Sequence, residues 1–97
     1  MRLTDLPGGD LIEAGLADLR QGRESVAALL VSIGGPRLRR LGYEIPDRFD
    51  DPEGRLYALL AREDSDSAHG RYNALIRRLV SFERAAESLS WRDAPRG

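Results

Sequence analysis

Residues 67–89, SAHGRYNALIRRLVSFERAAESL, have the clearest helical periodicity in the chain. Apolar side chains recur there every three or four residues over several turns; they are Tyr72, Leu75, Ile76, Leu79, Phe82, Ala86 and Leu89. This spacing predicts a long amphipathic α-helix, because such residues lie on one side of a helix. A helix of that length spans more than about 30 Å. We therefore expect part of its apolar side to extend past its neighbours and pair with a second copy.

The sequence before this helix predicts three more main helices and one short one, each with apolar residues at helical spacing. No segment shows the alternating pattern of a β-strand. The predicted helical ranges are 10–21, 23–33, 36–41, 52–63 and 67–89. The fold class is therefore all-α: a compact bundle of four main helices plus one short helix, with the last helix the longest. The short connections favour antiparallel neighbours.

Boundary residues support two of these assignments. Asp51 and Pro52 form a helix start, because an aspartate caps the first turn and a proline suits its first position. Gly42 is expected to follow the short helix as the C′ residue of a Schellman cap. Tyr43 and Leu38 then form the hydrophobic pair that usually accompanies this cap.

Length and hydropathy limit the class of protein. The 97 residues are the length of one domain. We expect a single helical domain, 1–97, with an irregular lead-in at 1–9 and a loose tail at 90–97. The longest apolar run, 26–31, is far shorter than the about 20 residues of a membrane span, and no basic-then-apolar leader begins the chain. We therefore expect a cytoplasmic protein without membrane contact.

Residue types that several chemistries need are missing. The chain has no cysteine and one histidine, which excludes disulfides and argues against a transition-metal site. No glycine-rich phosphate-binding motif occurs. We expect no metal and no cofactor, and no catalytic set stands out, which favours a non-enzymatic protein.

The charges are segregated along the chain. All 15 basic residues are arginine, which indicates a GC-rich genome and, in our interpretation, a bacterial source. Residues 1–19 carry a net charge of −3, residues 20–42 carry +4, residues 43–70 carry −5 and residues 71–97 carry +3, for a total of −1. The main interpretation is that these blocks neutralise one another within the fold or across a dimer. The alternative is an exposed basic face for an anionic partner.

Two sets of arginines are candidates for binding an anion or a nucleic acid. The first set follows a Gly-Gly-Pro sequence at the start of the short helix, where backbone N–H groups also attract anions. The second set lies on the last helix, where Arg71 and Arg78 are seven residues apart, as are Arg77 and Arg84, so each pair shares a face. The candidates are Arg37, Arg39, Arg40, Arg71 and Arg78. The main interpretation of the first set is a Gly-Gly hinge followed by a solvent-facing basic turn, because Pro36 removes one of the N–H donors. The main interpretation of the second set is a solvated or salt-bridged face, because aromatic residues do not interleave it as in a stacking platform.

Arg62 and His69 are separated by six residues. This spacing resembles the Arg-x(4–6)-His motif of HEPN domains, which are small all-α domains that dimerise and include many metal-independent ribonucleases. The resemblance implies that the arginine and histidine of two protomers meet at the dimer interface and act on an RNA phosphodiester. The chain departs from the family pattern in placing Glu63 directly after the arginine.

Two functional hypotheses follow. The first is a small non-enzymatic interaction or oligomerisation module that binds itself as a homodimer, or another protein. Its candidate interface residues are Tyr72, Leu79, Phe82 and Trp91. The second is a nucleic-acid-binding helical domain, with HEPN-like cleavage by Arg62 and His69 as one form of it. The two differ in whether the arginines cluster on an open face or are each opposed by an acidic residue.

Overall fold

Five α-helices make up most of the chain. The computed structural model describes residues 3–93, with side chains described as far as residue 89. A single 3₁₀ turn at Leu3–Asp5 precedes the helices, and no β-strand occurs in residues 3–93. The helices are α1 (Gly9–Arg20), α2 (Val26–Ile33), α3 (Gly35–Arg40), α4 (Pro52–Glu63) and α5 (Ala68–Asp93). The prediction of an all-α bundle with four main helices, one short helix and the longest helix last is confirmed.

Four helix starts differ from those predicted, those of α3 (Gly35, not residue 36) and α5 (Ala68, not residue 67) by one residue each. α1 begins at Gly9 rather than at residue 10, because Gly8 in the left-handed region (φ 73°) precedes it. α2 begins at Val26 rather than at residue 23, because Ser25 is its N-cap. The Ser25 hydroxyl accepts from the Ala28 N–H at 3.0 Å and donates to Asp18 Oδ2 at 2.6 Å. The hydroxyl thereby joins the start of α2 to the last turns of α1.

The predicted cap of α3 is confirmed. The N–H of Tyr43 donates to the carbonyl oxygen of Leu38 at 3.1 Å, and the N–H of Gly42 donates to that of Arg39 at 3.0 Å. These are the two hydrogen bonds of a Schellman motif. Gly42 has a φ of 101°, which a residue with a side chain rarely adopts.

α5 is longer than predicted. Its backbone remains helical to Asp93, so residues 90–93 belong to the helix and not to the tail expected after residue 89. Residues 94–97 lie outside the described part of the chain. At 1.5 Å per residue, the 26 residues of α5 span about 39 Å, roughly twice the length of α1 or α4.

α2 is the central helix of the core. Residues 28–31 are each 0% exposed, since α1, α4 and α5 all pack against this helix. α1 crosses α2 at Gly15, where the two backbones come close together. A Cβ atom at Gly15 would lie 2.8 Å from the carbonyl carbon of Ala27 and closer still to its oxygen. The close crossing of α1 and α2 therefore requires glycine, which has no side chain, at position 15.

α5 closes the core with Leu79 and Phe82. Phe82 is 0% exposed, and its ring centroid is 5.9 Å from that of Tyr43. Within residues 3–93, no helix has the length and apolar character needed to cross a membrane.

Candidate functional site

The three candidate arginines of α3 differ in their surroundings. Arg37 donates to Glu87 Oε2 at 2.6 Å, which joins α3 to α5. The Nε of Arg39 donates to the carbonyl oxygen of Ile45 at 3.0 Å. Arg40 is exposed, and its guanidinium group makes no polar contact within the described residues. Two of these three guanidinium groups therefore already form hydrogen bonds with other groups of the same chain.

Both candidate arginines of α5 form ion pairs. Arg71 Nη2 lies 3.3 Å from Glu63 Oε2, and Arg78 Nη2 lies 3.4 Å from Asp10 Oδ1. Exposed pairs of this kind contribute only about 0–1 kcal/mol each to stability. Their main effect is on the charge that remains available to a partner. Four of the five candidate arginines are thus opposed by acidic or carbonyl groups of the same chain.

Charges of both signs remain unpaired near α5. Arg77 and Arg84 are exposed, and their seven-residue spacing places them on one side of the helix. Asp64 and Asp66 lie in the α4–α5 turn, residues 64–67, where the N–H of Asp66 donates to Asp64 Oδ1 at 3.1 Å. None of these four side chains has an ion-pair partner among the residues that the structure describes.

α4 and α5 together present an aromatic patch, which we define as Tyr57, Tyr72 and Ile76. The tyrosine ring centroids are 5.7 Å apart, and Tyr57 is 41% exposed, the one exposed large hydrophobic residue of the described part. Ile76 lies one turn after Tyr72 on the same side of α5, and both are half-buried. Burial raises the pKa of the Tyr72 hydroxyl, and the carboxylates of Glu53 and Asp51 raise it further. Acidic groups therefore border the patch.

The candidate interface residues lie in different environments. Leu79 and Phe82 are 3% and 0% exposed, so they belong to the core and offer no surface to a partner. This corrects their assignment to an exposed interface. Their side of α5 is covered by the end of α2 and by Tyr43. Tyr72 is half-buried within the aromatic patch, and the side chain of Trp91 lies outside the described part.

Arg62 and His69 lie on the two sides of the α4–α5 turn. Both are exposed, and no hydrogen bond joins their side chains within the described part of the chain. His69 Nε2 lies 3.2 Å from Asn73 Nδ2, one turn further along α5. The side chain of Arg62 makes no polar contact within residues 3–89. The acidic residues Glu63 and Asp64 follow Arg62 directly, which is unfavourable for an RNA phosphate at this position.

Sequence reasoning missed a buried carboxylate on α5. Glu83 is 5% exposed, and its Oε1 lies 3.8 Å from Nη1 of Arg37. The same guanidinium also contacts Glu87, so Arg37 holds α3 against two successive turns of α5. Burial raises the pKa of Glu83, Arg37 opposes that rise and Glu87 adds to it. The only sequence signal is the four-residue spacing of the two glutamates, which is common on solvated helices.

We expect Glu83→Gln to be more stable than the native chain at pH 7. The raised pKa means that the folded state holds the Glu83 proton more tightly than the unfolded state. The stability due to this group is therefore present below the ordinary glutamate pKa and is lost as pH rises through the raised value. Urea unfolding from pH 7 down to about pH 4 should show the advantage of the glutamine variant shrinking toward zero.

Arg37→Met provides the matching control for this prediction. It leaves the Glu83 carboxylate buried without a counter-ion and should cost about 1–3 kcal/mol at pH 7. Most of that loss should disappear in the Arg37→Met/Glu83→Gln double variant. If Arg37→Met costs the same stability with glutamate as with glutamine at position 83, Arg37 is not the counter-ion of Glu83.

Other surface features bring no catalytic set together. An open groove of about 330 Å³ between α2, α3 and the start of α4 is lined by Ile33, Pro36, Pro46, Phe49 and Pro52, among others. Its cation, Arg39, already donates to a backbone carbonyl. Across the described range, no three histidine or acidic side chains are grouped so as to hold a metal ion.

Comparisons with known proteins assign no family. No protein-family model, no curated protein and no solved structure matches the chain. The resemblance to the HEPN motif therefore rests on Arg62, His69 and their helical context.

Proposed function

We propose that the chain is a non-enzymatic helical interaction module that self-associates through the α4–α5 surface. The observation that carries the proposal is the Tyr57–Tyr72 pair, in which Tyr57 is exposed and Tyr72 is half-buried. Tyrosine is enriched at protein interfaces, because its ring buries a large area while its hydroxyl stays hydrated. An aromatic patch that stays accessible on the surface is typical of an interaction site.

The arrangement of the arginines supports protein contacts over nucleic acid. A nucleic-acid site needs several free cations on one face. Four of the five candidate arginines are opposed within the chain, which leaves Arg77 and Arg84 as two unpaired cations on one side of α5 among the described residues. Acidic residues border the aromatic patch, which is unfavourable for a phosphate backbone. A bacterial, cytoplasmic location is part of the same proposal and rests on the composition, with 15 arginines and no lysine or cysteine.

We expect a dimer at micromolar concentration, weakened by Tyr57→Ser. Truncating an aromatic residue within an interface should raise the dimer Kd at least about tenfold, or about 1.4 kcal/mol. Sedimentation equilibrium measures both values. Ala17→Ser, an exposed change on α1, is the control and should leave the Kd unchanged.

Three results would overturn the proposal. One is a monomer at high micromolar concentration. Another is saturable nucleic-acid binding with a log–log salt slope of roughly −3 to −5, as four to six phosphate contacts would produce. The third is RNA cleavage without added metal that is abolished by Arg62→Ala and by His69→Ala while the fold remains intact.

A further inference from the structure

We infer that the partner on the α4–α5 surface is a second copy of this chain, packed antiparallel along α5 about a two-fold axis at Ile76. In this arrangement Arg84 of each copy lies against the α4–α5 turn of the other, beside Asp64 and Asp66. The inference rests on the proposed self-association and adds its geometry.

The first argument is a row of side chains along α5. Tyr72, Ile76, Val80 and Arg84 are spaced four residues apart and therefore form one ridge. The first three are half-buried and the last is exposed. A two-fold axis at Ile76 places Tyr72 of one copy against Val80 of its partner, and Ile76 against the partner's Ile76. The apolar part of the row is therefore complementary to itself, as a two-fold interface requires.

The second argument is charge complementarity along the same row. Arg84 lies eight residues after Ile76, so the axis brings it to the level of Ala68 of the partner subunit, directly beside the α4–α5 turn. That turn carries Asp64 and Asp66, which have no cationic partner in the described part of their own chain. Arg84 likewise has no acidic partner there. Antiparallel packing therefore pairs charges that are unpaired within the described residues of a single copy, twice in each dimer.

Arg77 distinguishes the proposed antiparallel register from a general effect of removing a positive charge. It lies one residue from the axis and beside the row, so the two copies of Arg77 approach each other. Arg84→Gln should weaken the dimer, because an attractive contact is lost twice. Arg77→Gln should leave the dimer unchanged or strengthen it, because like charges are removed. Both arginines are exposed, unpaired in the described residues and on the same helix, which makes the two variants a matched pair.

The deciding experiment mixes two charge-reversal variants of the full chain. Arg84→Glu places a glutamate against the acidic turn, and Asp66→Arg places an arginine against Arg84, so each variant alone should dimerise at least about tenfold more weakly. In an equimolar mixture both contacts become attractive, and a heterodimer should form with a Kd within about threefold of the native dimer. Sedimentation equilibrium at low salt measures the Kd of each variant alone and of the mixture. Circular dichroism checks that each variant is folded.

The possible results test two claims separately: that the chain self-associates, and that the two copies pack antiparallel about Ile76. A native dimer sensitive to Tyr57→Ser, with no recovery in the mixture, overturns the antiparallel geometry and leaves self-association in place. Weakening of the dimer by Arg77→Gln as much as by Arg84→Gln overturns the register in the same way. A native chain that stays monomeric overturns self-association itself.

Discussion

Gly15→Ala should destabilise the protein by about 3 kcal/mol or more, although alanine favours helices. At this crossing of α1 and α2, the added Cβ would meet the carbonyl group of Ala27 and the Cγ2 of Val31. A side chain can rotate away, but the Ala27 carbonyl belongs to the backbone of the central helix. The two helices must therefore move apart, which loosens the residues packed between them. Urea unfolding measures the loss.

Gly70→Ala is the matched control, with the opposite expected sign. Gly70 also lies within a helix, but nothing is within 4 Å of a Cβ built there. The substitution should stabilise the protein by about 0.5–1 kcal/mol, because glycine loses more conformational freedom on folding than alanine. If both glycines respond alike, the close approach at Gly15 does not limit the packing of α1 on α2.

Leu30→Ala and Leu79→Ala should each cost about 2–5 kcal/mol. Leu30 is 0% exposed on the central helix, and Leu79 is 3% exposed where α5 covers the end of α2. Each change removes buried apolar atoms and leaves a cavity, and a domain of this size has about 5–15 kcal/mol of stability in total. Chemical unfolding at neutral pH measures both losses.

The control for these leucines must be an exposed residue whose side chain has no polar or ring contact. Arg40→Ala meets that condition and should change the free energy of unfolding by less than about 0.5 kcal/mol. Arg55 is unsuitable although its side chain is 47% exposed, because it pairs with Glu24 and its guanidinium lies 5.9 Å from the centroid of the Phe49 ring. Losses below about 1 kcal/mol at both leucines would contradict the placement of the core.

The helices and their order could be predicted from local patterns. Apolar spacing and boundary residues depend on neighbours within a few positions, and these neighbours stay close in any fold. That is why the all-α class, the long last helix, the Asp51 cap of α4 and the Gly42 cap of α3 agree with the structure. The start of α2 was predicted three residues too early, because Ser25 acts as a cap and is held by Asp18 seven residues away.

The candidate site depended on contacts between distant parts of the chain. Arg37 and Glu87 are 50 residues apart in sequence, and Arg78 and Asp10 are 68 apart. Helical spacing shows that these arginines lie on a surface, but it carries no information on which acid faces them.

The same limit applies to burial along α5. Periodicity places Tyr72, Leu79 and Phe82 on one apolar side, yet the structure covers the last two and leaves Tyr72 beside the exposed Tyr57. How many side chains of α5 are buried depends on how far α2, α4 and the segment after α3 extend along it. Glu83 is buried for the same reason, since α3 folds back over it and supplies Arg37. Local spacing thus sets the helices, while long-range packing selects which of their side chains remain available to a partner.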